Sequence, residues 1–191
     1  MKRVVIPFII SVFAILSCNQ TGRIVSDTPI KTNVLGVELC KKMAALEVAD
    51  SLMKNTGRFF MPTVEKVGTA QVYRLTPMGM NFNYGGLSWS YADIGVTSAK
   101  EVHTIYIVGS YESVESAKKQ YDAAVEIFTH KYGKGNSGME NNTFWTDNVN
   151  SVGLLYQASS ALDGSDRSFC YLYYVNRALN DKVEAENQPD I

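Results

Sequence analysis

The stretch SVESAKKQYDAAVEIFTHKYG, residues 113–133, constrains the fold more than any other part of the chain. Val114, Ala117, Tyr121, Ala124 and Phe128 recur in alternating steps of three and four, with Val125 and Tyr132 beside them. That is the period of a helix with one apolar face. Ser113 stands where an N-cap belongs, Glu115 falls in the first turn, and Gly133 stands where the helix must end. Such a helix needs a surface that hides Phe128 and Tyr121. The flanking segments supply it. VHTIYIVGSY (102–111) and FCYLYYVN (169–176) are rich in β-branched and aromatic residues. TAQVYRLT, MNFNY, NTFWTDN and SVGLLYQAS share that character, and short clusters of Gly, Pro, Asn and Ser separate them.

An earlier helix is expected over residues 41–55. Ala45, Val48, Ala49 and Leu52 form its stripe, Met43, Leu46 and Met53 widen it, and Gly57 is a natural stop. The run LSWSYADIGVT alternates through Leu87, Trp89 and Tyr91 but resumes out of phase at Ile94, which suggests a bulge near Ala92–Asp93. The expected order is α-β-β-β-α-β-β-β. Short connections between consecutive strands imply an antiparallel sheet of about six or seven strands with both helices on one face, an α+β fold.

The N-terminus answers a different question. Lys2 and Arg3 precede an apolar run from Val4 to Leu16. It is too short to span a bilayer and suits the core of a signal peptide. The run ends in Ile15, Leu16, Ser17 and Cys18, which resembles the lipobox of bacterial lipoproteins. The resemblance implies cleavage after residue 17, a diacylglyceryl group on the Cys18 thiol and acylation of the new amine. Two or three acyl chains make a near-permanent anchor, since each buried methylene contributes about 0.8 kcal/mol. No Asp stands directly after Cys18 and no acidic cluster follows it. Both features resemble outer-membrane lipoproteins that face the periplasm. The expected organisation is therefore a cleaved signal peptide (1–17), a lipidated cysteine with a flexible polar tether (18–33), one α+β domain (34–180) and a polar, fraying tail (181–191).

The chain of 191 residues is 46% hydrophobic and 19% charged. That balance excludes general disorder. Its formal charge is −1 and becomes two units more negative once Lys2 and Arg3 are cut away. With no basic block, nucleic acid is not an expected partner. Cys40 and Cys170 have no pattern of spacing and read as separate thiols rather than a bridge, although an exported compartment permits one.

Catalytic and metal motifs are not evident. His130 falls in the last turn of a helix, where a cation suits the dipole, and His103 lies on a strand; neither has a second ligand at metal spacing. GKGNSG follows a helix, whereas a phosphate loop precedes one. DGSDRS reads as a turn. No cofactor is implied. The aromatic residues are more telling. In FCYLYYVN, Cys170, Leu172 and Tyr174 suit the covered face, and Tyr171 and Tyr173 suit the open one. With Trp89, Tyr91 and Trp145 they are the expected surface for a glycan or protein partner; core packing accounts for the same residues.

The pairing of a helix with a meander in each half resembles the tandem α-β repeat of β-lactamase-inhibitor-protein-like domains. LGVEL, GLSWS and AKKQYDAAVEIFTHKYG also resemble small lipoproteins of Bacteroidetes. Neither resemblance carries a catalytic motif. The expected function is a lipid-anchored, non-enzymatic binding or interaction module. The alternatives are an envelope hydrolase, which would need acids such as Asp93, Asp147 or Asp163 to converge, and a secreted inhibitor.

Overall fold

The computed structural model of the chain describes residues 23–139, 141–158 and 167–187. A small ribbon, β1 (Asn33–Val34) and β2 (Val37–Glu38), leads into helix α1 (Ala45–Thr56). Strands β3 (Phe60–Val67) and β4 (Ala70–Pro77) follow. A short hairpin, β5 (Phe82–Tyr84) and β6 (Leu87–Trp89), interrupts the meander before β7 (Tyr91–Val96) and β8 (Val102–Tyr111) complete it. Helix α2 (Val114–Tyr132) opens the second half, which continues as β9 (Asn136–Met139), β10 (Asn142–Thr146), β11 (Asn150–Ala158) and β12 (Ser168–Asn176). Helix α3 (Arg177–Asn187) ends the described chain.

Eight strands form one antiparallel sheet in the order β3-β4-β7-β8-β12-β11-β10-β9. Each half is a helix followed by a four-stranded meander, and the last strands of the two halves pair at the centre, Ile107 opposite Leu172. The α+β antiparallel class stands. The main sheet has one or two strands more than the sequence suggested, and the described residues hold three helices, not two.

One face of the sheet carries the main core. Val48, Ala49 and Leu52 of α1 and Ala117, Tyr121, Ala124, Phe128 and Tyr132 of α2 are buried there with Ile94, Ile105, Leu154, Cys170 and Leu172. The β5–β6 hairpin joins them through Phe82 and Trp89. Ser113 caps α2 by accepting from the Ser116 backbone N–H. Gly57 ends α1 at φ +68°, a conformation that costs glycine little. Two residues of the expected inner stripes face outward. Leu46 is 71% exposed and Val114 41%: at 3.6 residues per turn Leu46 points about 110° away from the buried Val48, Ala49 and Leu52 side of its helix, and Val114 opens the first turn of α2.

Three further expectations change. LSWSYADIGVT is not one bulged strand. Trp89 ends β6, where its indole donates to the Tyr84 carbonyl at 3.0 Å, and Tyr91 begins β7 in a different sheet. The register shift lies at Gly95/Val96. The fraying tail is helix as far as Asn187, whose side chain accepts from the Thr69 backbone N–H. Lastly, the expected tether is docked from residue 24 onward. The Ile24 N–H donates to Asn136, Ser26 N–H to the Thr146 carbonyl and Ile30 N–H to Asp147, and Ile30 is buried. Residues 18–22 lie outside the described chain.

Candidate functional site

Strand register assembles the face opposite α1 and α2. Antiparallel pairing places side chains in rows that cross the sheet. One row runs Arg74, Asp93, Tyr106, Tyr173, Gly153 and Phe144. The next runs Tyr91, Val108, Tyr171, Leu155 and Asn142, with Phe169 beyond it. The FCYLYYVN strand therefore turns its Phe169, Tyr171 and Tyr173 side away from α2, as its alternation implied.

Helix α3 crosses one end of this face. Arg177 lies by the β10–β11 turn and Asn187 by the β3–β4 turn, so its eleven residues bridge from β12 to β4. At 1.5 Å per residue that is about 16 Å, and three strand spacings of about 4.8 Å are nearly the same length. Its Asn180 and Val183 are buried over β8 and β12. The register shift at Gly95 turns both His103 and Thr104 toward this side, where a Cβ on Gly95 would strike each of them. His103 is buried against Asn180, and desolvation pushes its pKa down to about 4.

The two tyrosines of β12 on this face differ in depth. Tyr171, in the outer row, is half-buried. Tyr173, in the inner row, is fully buried, which contradicts its expected exposure. Its ring lies flat across β11 in the space that Gly153 leaves, beside Tyr106, and its hydroxyl donates to Asn142 at 3.1 Å. Trp89 and Trp145 are buried in the main core on the other face and offer no surface. Of the expected partner surface, Tyr91 and Tyr171 remain.

Beside Tyr91, on the side away from Tyr171, stands an ion pair that no run of neighbouring residues announces. Arg74 donates two hydrogen bonds to Asp93, at 2.9 and 2.7 Å, and its guanidinium lies 5.0 Å from the centre of the Tyr91 ring. The alternation of TAQVYRLT already put Arg74 on the face opposite Tyr73 and Leu75. What it lacked was the partner strand. Burial raises the Asp93 carboxyl, and the Arg74 bonds oppose that rise. Burial also raises the Tyr91 and Tyr171 phenols, so both stay neutral donors and acceptors. The result is a flat aromatic platform backed by a neutralised ion pair. It suits stacking on a sugar ring or an apolar side chain, and its charges are already satisfied.

The acids that a hydrolase would draw on are separate. Asp93 is held by Arg74. Asp147 accepts from the backbone N–H groups of Ile30, Val149 and Asn150 and so organises the β10–β11 turn. Asp163 and Cys18 lie outside the described residues. His130 is exposed at the end of α2. Cys40 is exposed and Cys170 buried, both free thiols. Among the described residues, no three His, Cys, Asp or Glu side chains are grouped to hold a metal, and no helix is long and apolar enough to cross a membrane. No protein-family model, curated protein or solved structure matches the chain.

Proposed function

We propose that the protein is a lipid-anchored binding module of the bacterial cell envelope, held by acylated Cys18 in the outer membrane on its periplasmic side. The binding surface is the sheet face that carries Tyr91, Arg74, Tyr171 and Phe169, and its partner is a glycan or a protein. The observation that carries this reading is the Tyr91–Arg74–Asp93 arrangement. A bidentate ion pair under an aromatic ring holds the ring in one place, and a fixed, half-buried ring loses little freedom when a ligand stacks on it. The two described acids that hydrolysis would need are engaged in different parts of the fold, which favours binding over catalysis.

The test is affinity purification from native membranes with the wild-type chain and a Tyr91→Ala, Tyr171→Ala double variant. Both rings are half-buried against Tyr106, Val108 and Tyr173, so circular dichroism and a thermal melt first establish that the variant keeps its fold. Loss of a co-purifying partner or glycan from the variant supports the assignment; an unchanged set of partners overturns it. Metabolic labelling with a fatty acid tests the anchor separately, and label that persists in Cys18→Ala refutes acylation at that thiol.

A further inference from the structure

We infer that the domain end formed by the β10–β11 turn and the C-terminus of α2 rests on an anionic lipid surface. This orientation builds on the proposed anchor at Cys18. Arg23 is five residue steps from Cys18, and an extended chain of that length spans at most about 18 Å. Arg23 is placed by the fold, its guanidinium 5.4 Å from the centre of the Phe144 ring on β10. The acyl chains therefore hold β10 and its neighbours close to the bilayer, whatever path residues 18–22 follow.

What the domain presents there fits that neighbour. Ile24 and Val25 are 44% and 43% exposed, and Val149 is 60% exposed. The Ser26 N–H donates to the Thr146 carbonyl at 2.8 Å, which brings the two apolar groups to the same end of the sheet. Cations surround them. Lys131 and Lys134 are exposed at the end of α2, where the Ser26 hydroxyl donates to the Tyr132 carbonyl, and Arg177 reaches the Asn148 carbonyl. Of the nearby acids, Asp147 is turned inward onto backbone N–H groups, which leaves Asp27 and Asp181 facing outward. The mature chain is acidic as a whole, so a basic, apolar end is a departure from its average. Shallow apolar side chains ringed by Lys and Arg are what an anionic headgroup layer attracts.

The experiment uses the full chain, matured and acylated in a bacterial host and reconstituted in phosphatidylcholine vesicles with or without phosphatidylglycerol. In a Cys40→Ser background, an environment-sensitive fluorophore is placed at Val149→Cys or, for comparison, at Met80→Cys. Met80 is exposed beyond the opposite ends of the strands, past Pro77. A nitroxide lipid quencher reads proximity to the headgroups. The expected result is quenching several-fold stronger at 149 than at 80 in anionic vesicles. The difference should shrink in high salt, which screens exposed charges, and in a Lys131→Glu, Lys134→Glu variant. Equal quenching at the two positions in an acylated chain overturns the orientation and leaves the anchor standing. A purified chain whose mass lacks the acyl groups overturns the anchor, and the orientation with it.

Discussion

Removing Arg74 should expose how the ion pair contributes. In Arg74→Met the Asp93 carboxylate loses two charge-assisted hydrogen bonds and keeps its burial, since its side chain is only 7% exposed. Breaking a buried pair from one side costs about 3–5 kcal/mol. The Arg74 side chain is 23% exposed, so water reaches the site and the lower end, about 3 kcal/mol, is expected. With a urea slope of about 2 kcal/mol/M, the midpoint falls by about 1.5 M. The two buried tryptophans, Trp89 and Trp145, report the transition by fluorescence. Arg74→Met with Asp93→Leu removes both charges and should return to within about 1 kcal/mol of the wild type, because an apolar pair carries no desolvation cost. The pH dependence has a definite sign. Without Arg74 the folded Asp93 pKa rises further above its unfolded value, so the folded state holds the proton more tightly. Stability then falls as pH rises through that interval and the deficit shrinks on acidification. A loss under 1 kcal/mol in Arg74→Met, or a double variant as unstable as the single one, would refute this account.

Phe128→Ala should destabilise by about 3–5 kcal/mol, because the ring packs against Trp145, Tyr132 and Tyr174, whereas Leu46→Ala should change stability by less than about 0.5 kcal/mol; thermal melts separate the two. His103 is held neutral in the fold, with a pKa near 4, so the unfolded chain binds more protons between that value and the ordinary 6.5. Stability should decline as pH falls through this window, by up to about 3 kcal/mol, and His103→Gln should flatten the slope in urea titrations; an unchanged slope would contradict the burial of His103 under α3. In the folded chain Cys40 should react with thiol reagents and Cys170 only after unfolding. Burial and the nearby Glu101 and Glu38 raise the Cys40 thiol, and burial pushes Cys170 up to about 12, so Cys40 labelling should accelerate in alkali; fast labelling that survives Cys40→Ala would show the assignment wrong.

Local signals served well where one element decides its own form. Ser113, the 3–4 stripe and Gly133 define α2 without help from the rest of the chain. The face of FCYLYYVN was legible for the same reason, since alternation fixes which side chains share a face. Depth on that face was not, because it depends on Gly153 in another strand and on a helix crossing from the C-terminus. Helix α3 escaped notice because its buried side is little more than Val183 and the polar Asn180, too few apolar groups to mark a period. The division of LSWSYADIGVT depends on where Trp89 finds the Tyr84 carbonyl, a contact between strands that no run of neighbours announces. The Arg74–Asp93 pair is likewise a matter of register, as the two residues meet only once β4 and β7 are aligned.

The docked stretch from Ile24 to Ile30 has a mechanical meaning. A pull on the chain from its N-terminal side loads its attachments one after another, first Asn136, then Thr146 and Tyr132, and last Asp147. Each hydrogen bond contributes about 0.5–1.5 kcal/mol net, so they peel in series rather than resist together. The first firm stop is the buried Ile30 with Val34 and Val37 behind it. Between residues 18 and 30 an extended chain reaches about 42 Å, more than twice the span from 18 to 23. With the proposed anchor at Cys18, the protein would store slack: tension on that anchor would lengthen its leash by about 24 Å before the core is touched.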